Sequence, residues 1–217
     1  MTMELILESL PLMLQGALMT LKIVALSGTM GIIFGTVLGL GRVSGIRWLS
    51  APITAYIEVI RGTPLYTQLL LVVFGIPQIT GINYEEFPAA VITIGLNSSA
   101  YVAEIMRAGI QSIDKGQMEA GRSLGMSHGQ VMWDIILPQA FKRVIPPLVN
   151  EMISLIKESS LVAAISLVEL TRTAQMIASR TYKPFPPYIL SALIYLVMTL
   201  TLSQIASALE RRMRASD

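Results

Sequence analysis

Ionisable side chains occur inside long apolar stretches of this sequence, where a charge is costly to accommodate. Glu58 and Arg61 lie three positions apart, so they share one face of a helix, and Thr63 follows them. A charge at the centre of a bilayer costs about 2.5–3.5 kcal/mol even on a lenient insertion scale. Such residues therefore face a partner, water or a solute, and we predict that these three line a cavity. An internal Glu58–Arg61 ion pair in a kinked helix is the alternative.

A second apolar stretch carries polar side chains at helical spacing. Asn97, Tyr101 and Glu104 fall on one face of a helix, with Ser98 beside them, and the stripe is about 10 Å long. An amide, a phenol and a carboxylate can hydrogen-bond the ammonium, carboxylate or guanidinium group of an extended amino acid. We predict that these four residues line a solute path, and hydrogen bonding between helices is the alternative.

A third group of candidates lies further along the chain. Lys157 and Glu158 are neighbours in another apolar stretch, so they point in different directions and need separate partners. We predict that both line the same path, together with Leu161.

The composition indicates the surroundings of these residues. Hydrophobic residues make up 53% of the 217 residues and charged residues 14%, and the mean hydropathy is +0.63. A soluble domain carries about 25% charged residues, so a soluble or disordered chain is disfavoured. Zero cysteine excludes a disulfide scaffold, a thiol nucleophile and a cysteine metal site, and one histidine argues against a histidine metal site. The net charge of +2 is too small for nucleic-acid binding. We expect an all-α membrane protein without metal or cofactor.

Apolar runs predict five transmembrane helices in one domain of residues 1–217. The predicted spans cover residues 12–41, 50–74, 87–110, 144–167 and 187–209. Gly75 and Pro77 are expected to end the second span, and Glu151 with two further charges interrupts the fourth.

The first span has two further features. A short interfacial helix is predicted before it, over residues 3–10. Gly31, Gly35 and Gly39 recur every four residues and would let another helix backbone approach closely. The spacing leaves open whether that helix belongs to the same chain or to another subunit.

The distribution of Lys and Arg predicts the topology. Basic residues concentrate in segments 42–49 and 107–143 and in the C-terminal tail, which share one side of the membrane if there are five spans. Segment 75–86 on the other side has none, and segment 169–186 is the exception. We predict the N-terminus outside and the C-terminus in the cytoplasm. The start lacks the basic region of a cleavable signal peptide.

Segment 111–143 is too polar to span a membrane and too patterned for a loose loop. Gly125 is typical of the C-terminal cap of a short helix, Ser127 can cap the next helix, and Pro138 is expected to end it. Two short helices joined at a glycine would form a compact knob with exposed apolar side chains. Docking to a cytoplasmic partner is the natural use of such a knob.

The motifs of this segment have a particular order and spacing. They are Glu119-Ala120-Gly121, Gly125, Ile135 and Leu137-Pro138. The spacing resembles the EAA loop of bacterial ABC-importer permeases, whose third position favours alanine over Gly121. Further stretches are similar to the polar amino acid permeases of that family: 58–65, 100–109 and 157–161. The resemblance covers about residues 12–212.

The resemblance implies a type I ABC importer permease in the bacterial inner membrane, surrounded by lipid. An extracytoplasmic solute-binding protein would deliver solute, two permease chains of the same or related sequence would form the path, and a pair of ATPase subunits would drive alternating access. The residues that would contact the ATPase pair are Glu119, Ala120, Gly121, Gly125, Met126, Ser127, Leu137 and Pro138. The chain has no Gly-x-x-x-x-Gly-Lys-Ser/Thr loop for ATP phosphates, so we expect a transport subunit and not an enzyme.

The implied solute is a polar L-amino acid. Two intramembrane carboxylates favour a basic one, such as arginine, lysine or histidine. The same motifs occur in relatives that handle glutamine or glutamate, which keeps those solutes as the alternative. An ATP-independent carrier would also explain the intramembrane charges, but it leaves the knob without a purpose and usually has internal repeats. A membrane scaffold without a solute is the third possibility.

Overall fold

The computed structural model describes residues 2–214, which form helices and no strand within that range. The α-helices are α1 Thr2–Val43, α2 Arg47–Arg61, α3 Leu65–Thr80, α4 Glu86–Gln111, α5 Lys115–Ser123, α6 His128–Val131, α7 Leu137–Glu158, α8 Leu170–Thr181 and α9 Phe185–Arg214. Three helices, α1, α4 and α9, are long and apolar enough to cross a membrane, and α2 with α3 would make a fourth span. The all-α prediction is confirmed, and the number of five spans stays a prediction.

α1 is one continuous helix of 42 residues, so the expectation of a separate short helix at residues 3–10 was wrong. Pro11 lacks the N–H that would bond back along the helix, which weakens one turn. Leu5 before it and Met13 after it nevertheless pack against the same apolar cluster, which includes Leu170 of α8. This shared packing holds both sides of the proline in a single helix.

The glycine stripe of α1 packs against α4 of the same chain. A Cβ atom added at Gly35 would lie 2.5 Å from the Cβ of Val102, and one added at Gly39 would lie 2.6 Å from the Cβ of Met106. Gly31 faces Ser98 in the same way. The two backbones are therefore closer than side chains on α1 would allow. Of the two uses left open by the sequence, the structure shows packing within the chain.

The predicted second span, residues 50–74, is broken and not continuous, because the chain bends by 99° between α2 and α3. Pro64 disfavours the helical conformation for the residue before it and has no backbone N–H to donate. Gln68 satisfies carbonyl groups that the break leaves free: its amide nitrogen donates to the oxygen of Ile60 at 2.8 Å and to that of Thr63 at 3.2 Å. One side chain thus joins the two helices across the bend.

α3 continues past Gly75 and Pro77, where the sequence predicted its end. A π-helical turn over Leu71–Gly75 widens the backbone, and Pro77 falls in the first turn of the stretch that follows, where a missing N–H is tolerated. The helix ends at Thr80, before Gly81 in the left-handed conformation with φ 72°.

The last third of the chain is less regular than predicted. The span expected at 144–167 corresponds to most of α7 followed by a 3-10 stretch, Ser159–Ile165. Segment 169–186, which was expected only to connect two spans, contains α8. α8 was missed because it is short and its sequence carries charged residues among the apolar ones.

Candidate functional site

Glu104 is the centre of an ion cluster that joins three helices. Its carboxylate accepts charge-assisted hydrogen bonds from Arg42, near the end of α1, and from Arg107, one turn further along α4. Arg61, the last residue of α2, brings a guanidinium nitrogen within 3.9 Å of the same carboxylate. That guanidinium lies 5.3 Å from the ring centroid of Tyr101, within the range of a cation–π interaction. Arginines of the same chain therefore already neutralise the Glu104 charge.

A hollow of about 450 Å³ lies beside this cluster and is lined by Arg61, Tyr101 and Glu104. It follows one face of α4 from Tyr101 to Ser112, a distance of about 16 Å at 1.5 Å per residue. Arg143 of α7 contributes to the opposite wall. The structure thus brings three of the predicted path residues together, at the end of α4 that leads into residues 111–143, the predicted coupling segment.

Glu58 and Thr63 do not line this hollow. The Glu58 side chain is exposed on α2 and forms no ion pair with Arg61 in the part of the chain that the structure describes, because Arg61 turns towards Glu104. The internal pair considered as an alternative is therefore not formed. The Thr63 hydroxyl donates to the carbonyl of Val59 at 2.9 Å, within the end of α2.

Asn97 and Ser98 are buried between helices and lie apart from the hollow. The Asn97 side-chain nitrogen donates to the side-chain oxygen of Gln68 at 3.0 Å, and the Ser98 hydroxyl donates to a carboxylate oxygen of Glu151 at 2.8 Å. Only 3% of Asn97 is exposed, and Ser98 is fully buried. Both residues therefore form hydrogen bonds between helices, which was the alternative to lining a solute path. α3 covers Asn97, whereas Tyr101 is exposed and Glu104 is half-buried, and both of these line the hollow.

Glu151 is a functional candidate that the sequence reasoning missed. Glu151, Ser154 and Glu158 lie three and seven positions apart on one face of α7, close enough for the two carboxylates to interact. Ser154 and Glu158 line a second hollow of about 310 Å³, together with Lys157 and Leu161. In the sequence, Glu151 stands out only as an interruption of an apolar run. Its helical spacing to Glu158 was the signal that could have identified it.

A fully buried carboxylate, Glu169, connects α1, α8 and α9. It accepts a hydrogen bond from the Tyr195 hydroxyl at 2.7 Å and from the backbone N–H groups of Thr171 at 2.9 Å and Arg172 at 2.7 Å. The Thr20 hydroxyl lies 3.4 Å away. No sequence pattern pointed to this residue, because two of its partners come from helices distant in the chain. Its bonds are all within the chain, so we assign it to assembly of the bundle.

The coupling segment contains the two short helices that the sequence predicted, α5 and α6. Gly125 adopts the left-handed conformation with φ 83° after α5, and Ser127 caps α6 through a reciprocal pair of hydrogen bonds with Gln130. A Cβ added at Gly121 would lie 2.6 Å from a methyl group of Val131. This close approach explains why glycine stands where the family pattern favours alanine.

Pro138 does not end the second short helix, contrary to the prediction. A π-helical turn, Met132–Ile136, leads directly into α7, and Pro138 lies in the first turn of α7, which needs no proline N–H. Two large apolar side chains project from the stretch between α4 and α7: Leu124 is 83% exposed and Trp133 is 69% exposed. Of the predicted coupling residues, the exposed ones are Glu119, Ala120, Gly125, Ser127 and Pro138, and the half-buried ones are Met126 and Leu137.

Known bacterial permeases are similar to this chain along nearly its whole length. The arginine transport system permease protein ArtQ of Bacillus subtilis is 46% identical, over 96% of this chain and 95% of that protein. The glutamine transport system permease protein GlnP of Escherichia coli is 40% identical, over 95% of this chain and 94% of that protein.

Solved structures share the fold. A chain in the crystal structure of an amino acid ABC transporter with histidines is 49% identical, with a TM-score of 0.91 over 95% of this chain and 96% of that one. A chain of the MetNI methionine ABC transporter is 19% identical, with a TM-score of 0.76 over 93% of this chain and 95% of that one. The fold is therefore that of a type I ABC importer permease.

The family assignment covers almost the whole chain. Residues 6–215 match the family of the binding-protein-dependent transport system inner membrane component. A match of this extent, with relatives above 40% identity and a helical bundle of the same shape, establishes membership. The chain belongs to the inner membrane components of binding-protein-dependent transport systems.

Proposed function

We propose that this chain is the permease subunit of an ATP-driven importer for a polar L-amino acid, and that the solute is a basic one. The similarity to an arginine permease and to a chain of an amino acid transporter crystallised with histidines supports an amino acid as the solute. The permease would cross the bacterial plasma membrane five times, through α1, the α2–α3 pair, α4, α7 with its 3-10 extension, and α9. The distribution of basic residues supports an external N-terminus and a cytoplasmic C-terminus.

The observation that carries the proposal is the acidic face of α7. Glu151 and Glu158 both lie on it, and neither forms an ion pair among the residues that the structure describes. Glu104, in contrast, is held by arginines. Carboxylates that form no ion pair in a membrane segment are tolerated when a visiting cation or water meets them. A basic amino acid supplies that cation.

The predicted path residues take different parts in this proposal. Lys157, Glu158 and Leu161 surround the hollow on α7, and Arg61, Tyr101 and Glu104 surround the hollow on α4. Solute would pass both hollows. The remaining candidates, Glu58, Thr63, Asn97 and Ser98, would support the path without lining either hollow in the isolated chain.

Uptake into proteoliposomes containing the permease, its ATPase and its binding protein tests the proposal. Glu158→Gln is expected to lower kcat/KM for arginine by about tenfold or more, because a hydrogen bond to a charged group contributes about 1.5–3 kcal/mol. Glutamine uptake, if present, is expected to change little. Glu86→Gln, at the exposed start of α4, is the matched control. Unchanged arginine uptake in both Glu158→Gln and Glu151→Gln would contradict a role of the acidic face of α7 in recognising the solute. Absence of arginine, lysine and histidine uptake by the wild-type complex would contradict a basic solute.

Glutamine is the second candidate solute, and one observation favours it. Lys157 is adjacent to Glu158 and lines the same hollow, so its charge offsets one carboxylate. A hollow balanced in this way suits a neutral polar side chain, and GlnP proteins are among the relatives. Uptake measured for each of the twenty amino acids separates the candidates: saturable glutamine uptake without arginine uptake would favour glutamine.

The partners follow from the proposed role. A second permease chain would complete the path, a pair of ATPase subunits would bind the coupling segment, and an extracytoplasmic binding protein would deliver the amino acid. Flux that persists without ATP would instead indicate an independent carrier.

A further inference from the structure

The hollow on α4 contains more positive charge than its single carboxylate balances. Glu104 already accepts hydrogen bonds from Arg42 and Arg107. The nearest nitrogen of Arg61 stays 3.9 Å from that carboxylate, and 40% of the Arg61 side chain is exposed. The guanidinium of Arg61 is therefore the group in this cluster that remains available to an incoming anion.

Arg143 contributes a second guanidinium to the same hollow. It donates to the backbone oxygen of Ser112 at 2.5 Å and to the Ser112 hydroxyl at 3.2 Å, which fixes it against the end of α4. No carboxylate pairs with it in the described part of the chain. The hollow is thus lined by two guanidiniums, Arg61 and Arg143, and one carboxylate, Glu104, which is already bonded to two further arginines outside the lining.

We propose that this hollow binds the α-carboxylate of the transported amino acid, as the last subsite before release on the side of the coupling segment. The inference rests on the proposed function, that the solute is an amino acid. A planar guanidinium binds a carboxylate through two parallel hydrogen bonds, and the Tyr101 ring holds Arg61 in place for that contact. The geometry assigns the contact with the solute carboxylate to Arg61, which the sequence predicted to line the path together with Glu104.

The position and size of the hollow identify the ligand. The hollow runs from the middle of α4 to Ser112, the residue after its end, and so reaches the coupling segment, where solute would leave the path. Its volume of about 450 Å³ accommodates one extended amino acid. The α-carboxylate is common to every amino acid, so this subsite would hold arginine and glutamine equally, and discrimination would fall to the acidic face of α7.

Proteoliposomes that enclose ATP test the subsite, because only complexes whose coupling segment faces the lumen are then active. Lumenal L-arginine is expected to slow the initial uptake of labelled arginine, and its decarboxylated analogue agmatine is expected to need an at least about tenfold higher concentration for the same inhibition. Arg61→Gln should remove this preference, and Arg61→Lys should keep part of it. Arg47→Gln, an exposed arginine on the same side and outside the hollow, should retain it in full.

Several results would overturn the subsite. Equal inhibition by arginine and agmatine would exclude carboxylate recognition, and equal inhibition by lumenal sulfate would indicate a general anion site. If Arg61→Gln abolishes uptake, the binding of arginine and of agmatine is measured on the solubilised permease–ATPase complex without binding protein. A ratio of the two affinities that is unchanged from wild type would refute the role of Arg61. If the wild-type complex takes up no amino acid, the proposed function fails, and the subsite fails with it.

Discussion

Glu104 and Glu158 are both carboxylates in helices proposed to cross the membrane, yet their surroundings differ. Glu104 receives hydrogen bonds from Arg42 and Arg107, so its charge is used within the chain. Glu158 forms no ion pair within the described residues and opens into a hollow. A carboxylate that is ion-paired within the chain holds helices together, and one that forms no ion pair can bind a solute. Whether neighbouring residues neutralise the carboxylate charge therefore distinguishes the role of Glu104 from that of Glu158.

Glu104→Gln is expected to destabilise the fold more than it changes solute preference. The substitution leaves Arg42 and Arg107 facing an amide, and we expect the free energy of unfolding to fall by about 1–3 kcal/mol. Because Glu104 and Arg42 are in contact, the double variant Glu104→Gln/Arg42→Gln should lose less than the two single losses added together, by about 0.5–3 kcal/mol. Thermal denaturation of the purified protein measures these changes.

Glu85→Gln, at the exposed N-terminal end of α4, is the control for this cycle and should stay within about 0.5 kcal/mol of wild type. Losses at Glu104 and Arg42 that simply add would contradict a direct interaction between them.

The residues of the site were only partly predictable from the sequence. Helical spacing placed Tyr101 and Glu104 on one face, and the structure brings both to one hollow with Arg61. The same spacing also included Asn97, whose burial depends on Gln68 from the other side of a bend. Spacing along one helix states which side chains point the same way. It does not state which other helix covers them, since that depends on contacts distant in the chain.

At the scale of elements, the glycine and capping signals of the coupling segment predicted the backbone correctly, whereas Gly75 did not end α3. Gly125 and Ser127 end and begin the short helices as expected. The prolines were less informative: Pro77 and Pro138 were expected to end helices, but π-helical turns lead the backbone into further helix there, and Pro11 lies inside α1. A proline removes one hydrogen bond, which costs about 3 kcal/mol in a helix interior and less in a first turn. Tertiary packing can offset that amount.

The packing of α1 against α4 should be sensitive to any added side chain. Gly35→Val would place a Cβ 2.5 Å from the Cβ of Val102, and overpacking of this kind costs about 1–3 kcal/mol. We expect a lower unfolding temperature and a lower yield of folded protein, measured by size-exclusion chromatography after heating. Gly129→Ala is the matched control, because no atom lies within 4 Å of its added Cβ. Equal stability of the two variants would refute the close approach.

In the whole molecule, exposed apolar side chains occur in two different environments. On α1 and α9, exposed leucines cover helices that are long and apolar enough to span a membrane, and lipid accounts for their exposure. Leu124 and Trp133 lie instead in the polar coupling segment, outside those spans. Lipid does not account for these two, which supports a protein surface as their partner.

Leu124→Asp is expected to weaken copurification of the permease with its ATPase by about tenfold or more. Burial of a leucine side chain contributes about 1.5–3 kcal/mol, and a charge in its place would lack a partner. Tyr182→Asp is the control, since Tyr182 is 90% exposed in the connection between α8 and α9. If the Leu124 variant copurifies as well as wild type and its uptake is intact, Leu124 does not contribute to the ATPase contact.

The interlocked glycines of α1 and the bend after α2 have a joint consequence for movement. Helix backbones in contact along a stripe of three glycines cannot slide or rotate against each other without steric clashes. We therefore expect α1 and α4 to move as one rigid unit. At the bend between α2 and α3 the two sides are joined by hydrogen bonds of the Gln68 side chain, and not by interlocked backbones. During a transport cycle the chain would therefore bend near Thr63. A small change in the hydrogen bonds of Gln68 would move α3 relative to α2, while α1 and α4 keep their relative positions.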